Sequence, residues 1–253
     1  MSIIQGTLAS EERLHWLSEQ LAEHGAVTIA EAAASLNVSE MTIRRALAEL
    51  EERGTARRVR GGARALGPRR FEQRRHTATR AKAKIAAKLA RLLPASGAVA
   101  FDASSTIMRL SAAITDARDL TVLTNGLETF TALQQQPGVS PLLTGGRLDS
   151  RTGSLVGPLA CRTASHLAVD VFFSSAAAVE PALGALEATL EDAELKRSIA
   201  EGAEQVVLAV DAGKLGQRAL AVGIEWEQVD LLVTDLEPED DQLEQYRALT
   251  RVV

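Results

Sequence analysis

Arginine is concentrated near the start of this chain. Residues 52–80 contain ten arginines and two carboxylates, Glu52 and Glu72, in a chain of 253 residues whose formal net charge is −5. The planar guanidinium group donates paired hydrogen bonds that match phosphate oxygens and the edge of guanine. A local excess of positive charge of this kind neutralises nucleic-acid phosphates. The residue types therefore predict DNA binding, although a GC-rich genome would also favour arginine over lysine.

Residues 28–50 predict the helices that would carry this chemistry to DNA. Apolar Ile29, Ala33 and Leu36 fall on one side of a first short helix. Asn37 follows, and asparagine tolerates the left-handed conformation of a tight turn. The pattern is typical of a helix-turn-helix.

The second helix of this motif carries the side chains that would reach the bases. Ser39 is a favourable N-cap residue for it. Ile43, Leu47 and Leu50 recur at the spacing of a buried helical face. The outward face and its flanks carry Met41, Thr42, Arg44, Arg45 and Ala48. An ordinary helical hairpin with solvated arginines is the alternative to this DNA-reading helix.

A basic hairpin is predicted directly after the helix-turn-helix. Its residues are Arg57-Arg58-Val59-Arg60-Gly61-Gly62-Ala63. Together the two elements would contact both the bases and the phosphates of DNA. The predicted DNA contacts are Thr28, Ser39, Met41, Thr42, Arg44, Arg45, Arg57, Arg58, Arg60, Gly61 and Gly62.

The charge of the chain divides into two regions. Residues 1–80 carry thirteen arginines against ten glutamates, and the rest of the chain therefore carries a net charge of −8. Gly67-Pro68-Arg69-Arg70 interrupts the apolar periodicity and marks a boundary. We predict a DNA-binding domain over 1–66, a linker over 67–80, and an effector-binding and oligomerisation domain over 81–253.

The composition bounds the remaining chemistry. Hydrophobic residues make up 46 % of the chain and aromatic residues 3 %, so the cores must consist mainly of alanine, leucine and valine. No run approaches the roughly 20 apolar residues of a membrane span, and the N-terminus lacks a signal peptide, which predicts a cytoplasmic protein. The single Cys161 allows no internal disulfide and lacks neighbours at metal-ligand spacing. We predict no metal, no cofactor and no catalytic residues.

From residue 81 onward, helical stretches alternate with short apolar runs that end in small polar residues. The runs are 98–101, 120–123, 142–143, 169–173, 206–210 and 231–233. Runs of this kind indicate a parallel sheet with helices on both faces. A ligand of such a sheet binds beyond the carboxyl ends of the strands, where these polar residues would lie.

One of the polar clusters is the turn Asp102-Ala103-Ser104-Ser105-Thr106. Its hydroxyls and backbone N–H groups would suit a phosphate or a sugar hydroxyl. We expect a helix to begin near Ser105, and simple capping of that helix is the alternative role of the three hydroxyls.

Two lysines are candidate partners of this turn. Lys196 and Lys214 are two of five lysines in the chain, and Lys214 lies three residues after the strand-terminal Asp211. Gly145-Gly146 is either part of the same site or only a tight turn. The predicted effector contacts are Asp102, Ser104, Ser105, Thr106, Asn125, Gly145, Gly146, Lys196 and Lys214.

The chain resembles the DeoR family of bacterial transcriptional regulators. The segments that match the family's winged helix-turn-helix are Val38-Ser39-Glu40-Met41-Thr42-Ile43-Arg44-Arg45-Ala46-Leu47, Leu50-Glu51, Gly54 and Arg58-Val59-Arg60-Gly61-Gly62-Ala63. Ala46 stands where the family usually has aspartate, and Arg60 where it usually has histidine. Loss of the aspartate removes a carboxylate that could orient Arg44 and Arg45, whereas Arg60 adds charge toward the DNA backbone.

The second domain is similar to the family's effector domain, whose fold is shared with ribose-5-phosphate isomerase. The similar segments are 102–106, Thr124-Asn125, Gly145-Gly146, a segment ending in Lys196, and Asp211-Ala212-Gly213-Lys214. Ser104 replaces a loop glycine, and residues 176–186 replace a segment that is richer in glycine and polar groups. These departures predict a less usual effector or a weakened response.

The resemblance implies an α/β protein, in which an N-terminal winged helix-turn-helix is joined to a larger domain with a mostly parallel sheet of the ribose-5-phosphate-isomerase-like type. It implies a repressor of carbohydrate-catabolism genes that binds a double-stranded DNA operator and is relieved by a phosphorylated sugar or related metabolite. Because one helix and one wing read only a short half-site, a homo-oligomer, either dimer or tetramer, is expected.

Two other classes of protein remain as alternatives. A sugar-phosphate enzyme of the isomerase fold would use a carboxylate with lysine assistance, but Asp102 and Lys214 lack paired carboxylates or a histidine constellation. The four histidines are scattered, at His15, His24, His76 and His166. A DNA-binding architectural protein would need no effector. A metabolite-specific shift in stability would favour the regulator, and turnover of a sugar phosphate would reveal the enzyme.

Overall fold

The computed structural model describes residues 2–53, 55–65 and 70–253. Contacts between residues divide the chain into two compact units, Met1–Gln73 and Arg74–Val253. Residues 67–69 of the predicted domain break, and Gly54 of the family pattern, lie outside the described residues. Within those described ranges, no helix combines the length and the apolar character needed to cross a bilayer.

The first unit is a winged helix-turn-helix. Its elements are α1 (Ser2–His24), β1 (Ala26–Thr28), α2 (Ile29–Leu36), α3 (Glu40–Glu52), β2 (Ala56–Val59) and β3 (Gly62–Ala65). Strand β3 lies between β1 and β2 and pairs antiparallel with both. The predicted helix-turn-helix and basic hairpin are therefore confirmed as α2, α3 and the β2–β3 hairpin.

Local sequence explains how α2 and α3 begin and end. The Thr28 hydroxyl accepts a hydrogen bond from the Glu31 N–H at 3.2 Å, and Asn37 ends α2 at a φ of 50°. The Ser39 hydroxyl accepts from the Thr42 N–H at 3.2 Å, which caps α3. The core between the helices consists largely of Leu14, Leu17, Leu21, Ile29, Ile43, Leu47 and Leu50.

The second unit is built on a seven-stranded parallel sheet. The strands of this unit are β4 (Gly97–Phe101), β5 (Leu120–Thr124), β6 (Val139–Leu143), β7 (Arg147–Asp149), β8 (Ser154–Val156), β9 (Val169–Ser174), β10 (Ala178–Glu180), β11 (Gly184–Glu187), β12 (Ala203–Ala209), β13 (Ala221–Ile224), β14 (Leu231–Val233) and β15 (Arg251–Val252). The order in the large sheet is β15-β14-β12-β9-β4-β5-β6, and every neighbouring pair is parallel. The edge strand β6 contains Pro141, which has no N–H to donate.

Helices cover both faces of this sheet. They are α5 (Thr79–Ala90), α6 (Met108–Ser111), α7 (Leu127–Leu133), α8 (Pro158–Ser165), α9 (Leu190–Ala200) and α10 (Glu244–Arg247). A further helix, α4 (Phe71–His76), begins in the first unit and ends in the second. Phe172 belongs to one hydrophobic cluster and Phe173 to a second one. Because consecutive strand residues are both fully buried, the sheet is covered on its two sides, as the continuous apolar runs predict.

The unusual apolar segment 176–186 is part of the core. It forms the antiparallel pair β10–β11, which continues into β13. Val179 and Ala185 are buried, and the Trp226 indole donates to the Glu180 carbonyl at 3.1 Å. Its apolar composition therefore follows from packing.

Candidate DNA interface and ligand site

Helix α3 presents an exposed face with the predicted side chains. Met41 is 58 % exposed, and Arg44 and Arg45 are also exposed. Arg44 pairs with Glu40 one turn earlier, with 3.2 Å between nitrogen and oxygen. Among the described residues, Arg45 pairs with no carboxylate, so its guanidinium group is available to a base. Ala46, where the family usually has aspartate, is buried in the core.

Three of the predicted DNA contacts also hold the first unit together. Thr28 caps α2 and donates to the Glu31 carboxylate at 2.6 Å. The hydroxyls of Ser39 and Thr42 lie 2.9 Å apart at the start of α3. Such N-cap contacts leave the hydroxyl oxygens near free helical N–H groups, a position in which a phosphate is also favoured.

The β2–β3 hairpin carries the exposed arginines Arg57, Arg58 and Arg60. Arg58 is tied to α3, because its Nε lies 2.6 Å from Glu51 Oε2 and its backbone N–H donates to the other carboxylate oxygen at 2.8 Å. These hydrogen bonds lower the pKa of the Glu51 carboxyl. Arg58 therefore orients the wing as well as adding charge.

The two wing glycines have different backbone roles. Gly61 has a φ of 85° at the tip of the hairpin and is exposed. Gly62 is buried, and a Cβ there would lie 2.0 Å from the Val27 carbonyl oxygen. Gly61 can approach a phosphate closely, whereas Gly62 is needed for the pairing of β3 with β1.

In the second unit, Asp102 is the centre of a buried polar cluster. It follows β4 and accepts from the Ser104 N–H at 2.9 Å and the Ser175 N–H at 2.8 Å. Asp102 also forms an ion pair with Lys196, whose Nζ lies 2.9 Å from Asp102 Oδ2. Burial would raise the pKa of Asp102, but Lys196 and these hydrogen bonds lower it overall.

The ammonium group of Lys196, on α9, has three partners within the protein. It donates to the Ser175 carbonyl at 2.6 Å and to Glu187 at 2.6 Å, in addition to its pair with Asp102. An ammonium group has three donors. Burial opposes its charge, yet Asp102 and Glu187 raise its pKa, so Lys196 stays protonated. Glu187 was not among the predicted site residues, and burial raises its own pKa.

Lys214 approaches the same cluster from the short helical turn Ala212–Lys214 after β12. Its ammonium group donates to the Ala176 carbonyl at 2.6 Å and to the Ser175 hydroxyl at 3.2 Å, and Asp211 lies 3.9 Å away. Burial lowers its pKa, and Asp211 offsets this only in part. Ser175 thus joins Asp102, Lys196 and Lys214 into one site.

Lys82 is a further cation that the sequence reasoning missed. It lies on the buried face of α5 and donates to the Ser105 hydroxyl at 3.0 Å. Burial and the nearby charge of Lys214 lower its pKa to about 8. Its position at the spacing of the buried Ile85 and Leu89 is the signal that could have revealed it, because a lysine on an apolar helical face requires a polar partner.

The turn that follows Asp102 differs from the prediction. Residues 105–107 form a turn, and helix α6 begins only at Met108, so the expected helix start near Ser105 is wrong. The Ser104 hydroxyl accepts from the Ile107 N–H at 3.0 Å, which is a capping role. The buried Thr106 hydroxyl has no hydrogen-bond partner among the described residues.

Asn125 and the glycine pair lie at the neighbouring strand ends. Asn125 is buried, and its side-chain oxygen has no partner in the part of the chain that the structure describes. Gly145 and Gly146 have φ values of 71° and 112°, and a Cβ on Gly146 would lie 2.7 Å from the Val156 carbonyl oxygen. These angles support the tight-turn role, and no described contact joins the pair to Asp102.

A winged helix-turn-helix followed by a parallel α/β unit with a buried polar site is the architecture of a transcriptional regulator with a ligand-sensing domain. A DeoR-like helix-turn-helix domain matches residues 13–69, and the DeoR C-terminal sensor domain matches residues 77–236. The chain belongs to the DeoR family, as the sequence motifs predicted.

Named relatives match along most of the chain. The HTH-type transcriptional regulator GolR of Listeria innocua is 32 % identical over 228 residues, which cover 88 % of this chain and 90 % of that protein. The glycerol-3-phosphate regulon repressor of Escherichia coli is 29 % identical over 231 residues, with coverage of 90 % and 91 %. Among solved structures, ribose 5-phosphate isomerase A of Methanocaldococcus jannaschii gives a TM-score of 0.38 at 14 % identity, with coverage of 53 % and 52 %. Both named relatives are transcriptional regulators.

Proposed function

We propose that this chain represses carbohydrate-catabolism genes, and that a phosphorylated sugar or a related metabolite relieves the repression. Residues 1–66 would bind the operator, 67–80 would form the linker, and 81–253 would bind the effector and associate with other copies. The observation that carries the proposal is the convergence of Lys82, Lys196 and Lys214 at the carboxyl ends of the strands. The regulon named for one relative concerns a phosphorylated polyol, which agrees with this class of ligand.

The lysines would play different roles toward the ligand. Lys196 has no free donor, because Asp102, Glu187 and the Ser175 carbonyl use all three. Its role is to hold the two carboxylates in place, where their remaining lone pairs can accept from sugar hydroxyls. The phosphate would instead lie at the turn 104–106, near Lys82 and the Thr106 hydroxyl, which has no hydrogen-bond partner among the described residues.

Desolvation favours an anion at this position. The pKa values of Lys82 and Lys214 are both lowered, because burial removes water from their ammonium groups and other cations lie nearby. An anion would stabilise the charged form of both side chains. A buried hydroxyl without a partner is costly, and a phosphate oxygen would satisfy that of Thr106.

Thermal shift with a panel of sugar phosphates and the matching free sugars tests the proposal. A compound that binds only the folded state stabilises it by about 2.7 kcal/mol at a hundredfold excess over Kd. Thr106→Val should raise the Kd of the compound about tenfold, the effect of one charge-assisted hydrogen bond, and Lys214→Met should raise it further because it removes a full charge.

Lys84→Met is the control for Lys214→Met, since it also removes one lysine charge but at an exposed position of α5. The same compound should weaken operator binding by the intact protein. If no phosphorylated compound stabilises the protein, the result would favour a DNA-binding architectural protein without an effector. Turnover of a sugar phosphate would favour an enzyme.

A further inference from the structure

The last turn of helix α4 is held by cations of the second unit. Lys82 donates to the backbone carbonyls of Arg74 and, at 2.8 Å, of Thr77. Arg109 Nη2 donates to the Arg75 carbonyl at 3.2 Å. These carbonyls lie at and just beyond the C-terminus of α4, where the helix dipole is negative and cations are favoured.

The same two residues border the turn 104–106. The third donor of Lys82 is used by the Ser105 hydroxyl. Arg109 lies three residues after Thr106, and its backbone N–H donates to the Thr106 carbonyl at 3.2 Å. Arg109 Nε is buried and has no hydrogen-bond partner among the described residues. The Lys82 side chain therefore bonds both the turn 104–106 and the end of α4, whereas Arg109 joins these segments through its backbone N–H and its side chain, respectively.

An anion at this turn would compete for these donors. All three donors of the Lys82 ammonium group are in use, so a new acceptor must displace an existing one. A phosphate oxygen is a stronger acceptor than a neutral carbonyl, because hydrogen bonds between ionised groups are about twice as strong. Two of the three acceptors of Lys82 are carbonyls at the end of α4, and the third, the Ser105 hydroxyl, belongs to the turn itself.

We propose that Lys82 and Arg109 form an anion-operated latch: an anion at the turn 104–106 draws their hydrogen bonds away from the carbonyls of Arg74, Arg75 and Thr77 and releases the last turn of α4. The inference rests on the proposed function, in which that anion is the effector. Helix α4 begins in the first unit, so its release changes the segment through which the chain leaves the DNA-binding unit. The latch gives the effector a route to operator affinity.

Hydrogen exchange of the full chain measures the latch. Glycerol 3-phosphate is the first probe, and inorganic phosphate is the second. Either anion should speed exchange of the amides in residues 74–78 on the order of tenfold, the effect of one charge-assisted hydrogen bond. Slower exchange of this segment when the anion is bound would overturn the latch.

A ligand-free comparison keeps the inference testable when neither probe binds. Arg109→Met and Lys82→Met should each speed exchange of residues 74–78 without any anion, whereas Lys84→Met should not. If Lys82→Met does not fold, Arg109→Met alone provides this comparison. Unchanged exchange in the folded variants would overturn the latch.

The two proposals fail in different ways. In one case, a probe stabilises the wild type but not Thr106→Val, and yet leaves hydrogen exchange at residues 74–78 unchanged. This result would overturn the latch but support the effector site. Faster exchange in Arg109→Met, with no stabilisation by any anion, would support the cation contacts and count against the effector.

Discussion

Arg45 is the exposed cation of α3 that is best placed to read a base. Arg44 is partly engaged by Glu40, whereas Arg45 pairs with no carboxylate in the described ranges. Arg45→Ala should lower affinity for the operator by about 1–3 kcal/mol and relax the preference at one base pair, because a bidentate contact to guanine is lost. Fluorescence anisotropy across a series of operator variants measures this. Equal losses on every sequence would show that Arg45 contacts phosphate instead.

Lys82 makes stability depend on pH in an unusual direction. Its pKa falls from the ordinary 10.5 to about 8, through burial and the charges of Lys214, Arg74 and Arg109, with Asp211 opposing. Between these two values the unfolded chain holds a proton that the folded chain has lost. By linkage, the contribution of Lys82 to stability is constant below pH 8 and rises from pH 8 to 10.5.

Lys82→Met should remove this component. The melting temperature of the wild type, relative to that of Lys82→Met, should increase as the pH is raised from 8 toward 10.5. The exposed Lys84→Met provides the comparison for a lysine lost from the same helix. A constant difference between wild type and Lys82→Met over this range would contradict the depressed pKa.

At the scale of elements, different arginines of the wing orient it and supply its free positive charge. Arg58 is fixed to α3 through Glu51, whereas no described carboxylate pairs with Arg60. Arg60→Ala should weaken binding to all DNA sequences alike and reduce the salt slope by roughly 0.9, the value for one phosphate contact. Arg118→Ala, an exposed arginine of the second unit, should leave the slope unchanged. A sequence-dependent loss on Arg60→Ala would place this side chain in a groove.

Periodicity predicted the elements that carry both sites. Ile43, Leu47 and Leu50 located α3, and doubly buried runs such as that ending in Phe173 located the parallel strands, because each spacing has one burial pattern. The sheet formed by β10, β11 and β13 escaped prediction, since its strands are only three or four residues long and β11 pairs with β13 across a long separation in sequence. Helix α1 lacked a prediction although Leu14, Leu17 and Leu21 recur at helical spacing.

The residue types at the candidate ligand site were predictable, but their contacts were not. The strand-end positions of Asp102 and Lys214 followed from the α/β pattern, whereas Lys196 reaches the cluster from helix α9. Saturation of Lys196 depends on Glu187, which comes from a different sheet, and the contact of Lys82 with Ser105 joins residues 23 apart in sequence. Pairings of this kind depend on tertiary packing, and a single sequence does not encode them as a local pattern.

At the scale of the whole molecule, the proposed function requires operator and effector to influence each other equally. If an anion lowers operator affinity by a given factor, the operator must lower anion affinity by the same factor. A tenfold effect corresponds to about 1.4 kcal/mol of coupling. Calorimetric titration of the anion with and without a saturating operator duplex checks this. Suppose that the anion changes operator affinity but the operator leaves anion affinity unchanged. This result would violate the linkage, and it would mean that the two titrations measure different species.

The proline in the edge strand β6 bears on how copies of this chain can associate. An exposed edge invites a strand of another molecule to extend the sheet, and such pairing has no natural end. Pro141 supplies no amide hydrogen to a strand added there. Growth of the sheet from this edge is therefore disfavoured. The proline acts as protection against open-ended aggregation.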